Sequence, residues 1–215
     1  MPMTPALTAL LAGTLALALL PGCKIVPDAD PSGDAGAVPL DDDQRMAALA
    51  AEIFDDRLPG YVAEHAVEAA PLRALLAQGL DAAGTAHGIR PGSEGSPWNF
   101  VLRAEGEVVG ADLASRAAHL DLDTDGDGQG DLTLQLGPVI RGTALRDALD
   151  FLTFTDFRDQ IEYAKLARAL NDQAHQRLSL PADDPVGQRL IVEGAMTLPA
   201  ADAPWVLVPT SLAAP

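Results

Sequence analysis

Residues 134–171 read LQLGPVIRGTALRDALDFLTFTDFRDQIEYAKLARALN, and the interpretation of this run decides the fold. Leu134 and Leu136 alternate with Gln135, as on a strand with one buried face. Gly137-Pro138 then interrupts the ladder, because proline has no N–H to donate and glycine tolerates the backbone angles of a turn. A short segment, Val139-Ile140-Arg141, leads to Gly142-Thr143, which opens a turn of helix through Leu149. Thr155 is expected to cap a longer helix, with Asp156 and Asp159 in its first turn, where the helix dipole favours negative charge. Three of the five phenylalanines, Phe151, Phe154 and Phe157, lie in this run. It therefore reads as a strand, a charged crossover and a helix, and the flanking sequence must supply the remaining strands.

The flanks do so. Trp98, Phe100 and Leu102 alternate with Asn99, Val101 and Arg103, and Glu105-Gly106 is read as a hairpin turn into Glu107-Val108-Val109. A further strand is expected at 117–122, and an Asp/Gly loop separates it from the alternation of Leu132, Leu134 and Leu136. Beyond the helix, Leu190, Val192, Met196 and Leu198 share a face, with Gly194 available for a bulge or bend, and 205–208 form the last strand. Before the strands, Met46, Leu49, Ala50, Ile53 and Phe54 recur at the spacing of one helical face, and Leu58-Pro59-Gly60 is expected to end that helix. A second helical pattern starts at Tyr61, passes Pro71 at a position that tolerates proline, and continues through Leu72, Leu75, Leu76 and Leu80. The predicted fold class is α+β: N-terminal helices packed on a small antiparallel OB-like β-barrel with a helix between strands 3 and 4. Closure would remove the exposed edges of so short a sheet. A flat α+β sandwich is the alternative arrangement. The crossover and its helix are expected to plug the barrel.

The chain of 215 residues begins with 22 that carry no Lys, Arg, Asp or Glu, and 6–20 is a nearly unbroken apolar run. That length suits the core of a secretory signal better than a bilayer span. It ends in Leu20-Pro21-Gly22-Cys23, which reads as a lipobox, and Cys23 is the only cysteine. Lipidation of Cys23 with two acyl signals, such as diacylglyceryl and palmitate, would give stable attachment to a lipid bilayer where one chain would not. Lys24, in the place where aspartate would favour inner-membrane retention, favours the outer membrane. Residues 1–22 are thus assigned to a lipoprotein signal peptide, 23–40 to the lipidated cysteine and a Pro-rich flexible tether, and 41–215 to a single domain, with 41–88 a helical layer and 97–215 the barrel. The net charge of −17 excludes a nucleic-acid partner, since phosphate binding needs clustered Lys and Arg.

Three groups of residues are candidates for chemistry. Arg141, Arg146, Asp147 and Asp150 form a charged cluster that could hold a carboxylate, phosphate or sugar hydroxyl, or could tie the short helix down through an Arg146–Asp150 pair at i, i+4. On the long helix, Arg158, Glu162, Lys165 and Asp172 are expected on the solvent side, while Gln160 and Asn171 fall on the apolar side. There they either line a ligand cavity or bond to the backbone of the crossover. Third, Asp121, Asp123, Asp125, Asp127 and Asp131 with Gly126 resemble the front of a calcium loop. However, Leu132 stands where the closing carboxylate belongs, and the flanks read as strands. An acidic hairpin tip is the plainer reading, and no cofactor other than Ca2+ is suggested. His65, His87, His119 and His175 lack metal-ligand spacing, no G-x-S-x-G elbow is present, and no enzyme is expected. Asp147, Asp156 or Glu162 would be the acid or base of an alternative envelope carbohydrate-active enzyme.

Taken together, Cys23-Lys24-Ile25-Val26-Pro27, the run from Gly137 to Ala148 and the Phe154-x-Asp156-Phe157-x-x-Gln160-Ile161-Glu162-Tyr163-Ala164 motif resemble a family of predicted periplasmic lipoproteins of unknown function. The resemblance implies a lipid-anchored envelope protein, often encoded beside ribose-type sugar ABC transporters and accessory to carbohydrate uptake. Its implied partners are a transporter component or a small carbohydrate. It carries no catalytic residue to this chain.

Overall fold

A computed structural model describes residues 40–92, 95–180 and 184–215. The signal segment, Cys23 and the Pro-rich stretch through Pro39 lie outside the described residues. Residues 40–215 form one compact unit.

The helical layer begins at α1, Asp42–Glu52. Asp41 caps it: its side chain accepts the Gln44 N–H at 2.8 Å, and the Gln44 side chain accepts the Asp41 N–H at 3.0 Å. The helix does not stop at Pro59. It widens into a π turn, Ile53–Arg57, and continues as α2, Leu58–His65. Pro59 thereby falls in a first turn, where its missing N–H leaves no bond unmade. Met46, Ala50, Ile53 and Phe54 form the buried stripe. A two-residue strand, β1 (Val67–Glu68), pairs parallel with Leu102 and Arg103, and two short helices follow, α3 (Ala69–Leu76) and α4 (Leu80–His87).

Five further strands close the barrel: β2 (Trp98–Asp112), β3 (Ala117–Asp123), β4 (Leu132–Pro138), β5 (Arg189–Leu198) and β6 (Trp205–Ala213). Between β4 and β5 lie α5 (Ala144–Asp147), a 3-10 turn at Phe154–Asp156, and α6 (Gln160–Arg177). Neighbours run β2-β3-β4-β6-β5, and β5 returns to β2, so no edge is left open. The β4–β6 contact is parallel and the other barrel pairings are antiparallel. This is the connectivity of an OB-type barrel, with α6 between the third and fourth barrel strands. No turn forms at Glu105-Gly106. Instead β2 passes straight through, pairing with β5 over residues 98–107 and with β3 over 107–112. The glycine serves a close approach: a Cβ there would sit 2.5 Å from the Asp123 carbonyl oxygen.

The inward residues of all five strands, among them Phe100, Leu120, Leu134, Val192 and Leu207, make one core. Ala69, Leu72, Leu76 and Ala83 of α3 and α4 join it, so these helices pack their apolar faces on the barrel's core. A second core lies outside the wall. There Val101, Ala195 and Val208 meet α1, α2, α5 and α6 through Ile53, Leu145, Leu166 and Leu170. The expectation that the 137–171 segment plugs the barrel is therefore corrected. Its apolar face is spent on α1 and the outer surface of β2, β5 and β6. This also explains why Phe100, Val101 and Leu102 are all buried where simple alternation predicts an exposed Val101. Among the described residues no helix is long and apolar enough to cross a membrane.

Candidate functional site

Where the crossover passes over the outer core it leaves a cleft of about 990 Å³. One wall is the segment entering β2, with Ile89, Arg90 and Asn99; the other is built by α5, the 3-10 turn and the first turn of α6. On α5, Arg146 is held flat on the Tyr163 ring, 3.7 Å from its centroid. Its Nε donates to Asp147 Oδ1 at 2.7 Å, Nη2 lies 2.6 Å from the same oxygen, and Nη1 donates to the Tyr163 carbonyl at 3.2 Å. Thr143 Oγ1 donates to the other Asp147 oxygen at 2.5 Å. Arg146 is thus paired with Asp147, and the expected Arg146–Asp150 pair is not made. The Asp150 peptide N–H instead donates to Tyr61 Oη at 3.2 Å, anchoring this wall to α2. Burial pushes the Tyr61 phenol up to about 12, and it raises that of Tyr163 as well.

The opposite wall is equally constrained. Arg90 lies over Trp98 at 3.8 Å, and Trp98 Nε1 donates to Asp81 at 3.2 Å. Asn99, 1% exposed, donates to the Ile89 carbonyl at 3.3 Å and accepts from Thr197 Oγ1 at 2.5 Å. Phe154 packs edge-on to Tyr163 at 5.7 Å yet remains 52% exposed at the rim. The charged groups lining the cleft, Arg90, Arg146, Asp147 and Asp150, balance in sign within a chain of net charge −17. Such a site offers directed donors and acceptors without a strong field, which suits a neutral polar ligand more than an ion.

Of the five binding candidates, Arg146, Asp147 and Gln160 line this cleft, Gln160 at its mouth. Arg141 and Asn171 do not. The Asn171 amide donates to the Gly142 carbonyl at 3.1 Å, the backbone-bonding alternative, and its Oδ1 has no partner among the described residues. The Arg141 backbone is clasped by Gln135, which accepts its N–H at 2.9 Å and donates to its carbonyl at 3.2 Å.

The N-terminus of α6 departs from expectation. Thr155 does not cap it. Thr153 and Asp156 close a separate 3-10 turn, and Asp159 caps α6 by accepting the Glu162 N–H at 2.8 Å. Glu162, expected in solvent, is 3% exposed. It accepts from the Arg158 N–H at 2.8 Å and from Arg45 Nη2 at 2.7 Å, while Arg158 also reaches Asp42. The Arg158 backbone bond and the two guanidinium groups hold the Glu162 carboxyl below its ordinary range. Thr153 does the same for Asp156. Neither carboxyl therefore carries a proton to donate at neutral pH.

The Asp/Gly loop is the β3–β4 hairpin tip. Asp123 accepts backbone N–H groups from Gly126 at 2.7 Å, Gly128 at 2.8 Å and Asp125 at 3.2 Å, which lower its pKa. Asp131 accepts from Thr124 Oγ1 at 2.8 Å and pairs with Arg73 at 2.8 Å. Oxygens of Asp123, Asp125 and Asp131 lie within 4.8 Å of one another, and these residues could hold a cation. Asp121 turns to Thr133 at 2.7 Å, and Asp127 to the Gln129 N–H at 2.8 Å.

The barrel and its side cleft define an OB-type protein with a helical outer layer. Residues 14–213 match the family described as predicted periplasmic lipoprotein (DUF2291), and the chain belongs to it. That membership makes it a lipid-anchored periplasmic protein. Its fold is similar to that of an OB-fold protein from Thermotoga maritima, with a TM-score of 0.62 and 16% identity over 79% of this chain and 98% of that one. Among curated proteins none matches.

Proposed function

We propose that this lipoprotein is a non-enzymatic accessory of sugar import that binds a small carbohydrate in the cleft between Arg90 and Tyr163, held at the outer membrane by acylated Cys23. The observation that carries this reading is the cleft itself. It pairs an aromatic and aliphatic floor with preset, charge-balanced hydrogen-bonding groups, the combination that sugars require. The arrangement of Arg146, Asp147 and Thr143 is fixed before a ligand arrives, which reduces the ordering cost of binding. Of the carboxyls named for the alternative of a carbohydrate-active enzyme, Asp156 is tied to Thr153 and Glu162 to Arg45 and Arg158, and Asp147, in the cleft, is engaged by Arg146 and Thr143. A thermal-shift series with pentoses and hexoses tests the proposal on the chain from Lys24. One class of sugar should raise the melting temperature, and Arg146→Gln should abolish the shift. Normal growth of a deletion strain on every pentose and hexose in the series, with no sugar shifting the melt, would overturn it.

A further inference from the structure

A second surface, separate from the cleft, carries an inference of its own. Arg116, Arg141 and Arg168 have neither a carboxylate within 4.0 Å nor an aromatic ring beneath them among the described residues. The other described Lys and Arg side chains each have one or the other. Arg141 lies in one loop, residues 138–142, and backbone and side-chain hydrogen bonds tie the segments that carry Arg116 and Arg168 to that loop. The Val139 N–H donates to the Arg116 carbonyl at 2.8 Å, and the adjacent register pairs Ala117 with Pro138. The Gly142 carbonyl is held by Asn171, which lies one helical turn beyond Arg168. Gln135 clasps Arg141 from both sides of its backbone. The same segments carry two exposed apolar residues, Val139 at 38% in the loop and Leu113 at 41%, three residues before Arg116.

We propose that this face docks an acidic, partly apolar segment of a periplasmic protein partner. In a chain of net charge −17, unpaired arginines on a clamped backbone form a local attractive spot within a repelling surface. Such an arrangement fixes the orientation of an acidic partner and speeds its encounter. Gln135 holds the Arg141 backbone in place, so binding there orders the side chain and not the loop. A bilayer fits less well. A flat anionic surface would bring the neighbouring carboxylates, Asp112 and Asp172 among them, within a screening length of about 8–10 Å and set their repulsion against the three cations. A narrow segment engages fewer of the carboxylates that surround the arginines than a flat surface does.

The test places a photo-crosslinking amino acid at Val139 in the full lipidated chain in its own host, with Val206, exposed on β6, as control. Irradiation should give a protein adduct at 139 and none at 206, and the crosslinked peptide should be rich in Asp or Glu with an apolar residue. Replacing Arg116, Arg141 and Arg168 together by Gln should reduce the yield about tenfold or more. Because all three side chains are exposed, the melting temperature should barely move. If the triple variant fails to fold, raising the ionic strength from low to high on the parent chain should produce the same loss. No adduct, an adduct to phospholipid, an adduct to a peptide without acidic residues, or a yield indifferent to charge and salt would each overturn the proposal.

Discussion

Gly194 offers a prediction whose sign runs against simple propensity. In a strand interior alanine is ordinarily better than glycine by about 0.5–1 kcal/mol. Here a Cβ would lie 2.3 Å from the Val208 carbonyl oxygen, 2.8 Å from Pro209 Cα and 3.0 Å from Leu207 Cγ. The first two are backbone atoms of β6, and β6 cannot retreat, because its residues 205–207 are also paired to β4. Overpacking costs about 1–3 kcal/mol when neighbours can give, and these cannot, so Gly194→Ala should destabilise by about 2–3 kcal/mol net. For a chain of this size each kcal/mol moves the melting temperature by about 2–4 °C, giving a fall of about 4–12 °C. Gly60 on α2 is the matched control, since a Cβ there meets nothing within 4 Å. Gly60→Ala should stabilise by about 0.5–1 kcal/mol through helix propensity. Circular-dichroism melts of the two variants and the parent, all starting at Lys24, provide the comparison. A Gly194→Ala protein that melts at or above the parent would refute the β5–β6 contact and with it the closure of the barrel.

Three other outcomes are expected. Glu162 is held ionised, so its contribution is present above the ordinary glutamate range and is lost as pH falls through its lowered folded-state value; Glu162→Gln should lower the melting temperature at pH 7, with the gap closing toward pH 3, and a pH-independent gap would contradict the Arg45–Glu162–Arg158 clamp. The Tyr61 phenol is kept neutral to about 12, so stability should decline as pH rises from about 10 toward 12, and Tyr61→Phe should flatten that decline. Because the N–H groups around Asp123 and the Arg73 guanidinium on Asp131 already supply positive partners, chelator should leave the melting temperature unchanged; a fall on chelation would show that calcium belongs to the hairpin tip.

The period-2 alternation in β2, β4 and β5 and the helical stripe from Met46 to Phe54 are local signals, and they were legible, as was the placing of α6 between strands. Features that depend on partners distant in sequence were not. Gly106 looks like a turn until Asp123, from another strand, is seen to occupy the space its side chain would need. Glu162 reads as solvent-facing because the guanidinium that buries it, Arg45, is 117 residues away. The same holds for the barrel's core: Leu72 and Leu166 are both apolar helix positions, and only topology sends one to it and the other to the outer wall. In the cleft, composition pointed to Arg146, Asp147 and Gln160, whereas the other wall, Arg90, Trp98 and Asn99, carried no motif. The one available clue was the Gly/Ser/Pro loop entering β2, since irregular backbone packed on a core must find side-chain partners for its polar groups.

The most direct measurement is a sugar titration of the isotope-labelled chain from Lys24, followed by amide and aromatic NMR shifts. A pentose or hexose should produce saturable changes confined to residues lining the cleft, Arg90, Asn99, Arg146 and Tyr163 foremost, that vanish in Arg146→Gln. Shifts centred on the β3–β4 hairpin tip, or none with any sugar in the panel, would contradict a carbohydrate site in this cleft.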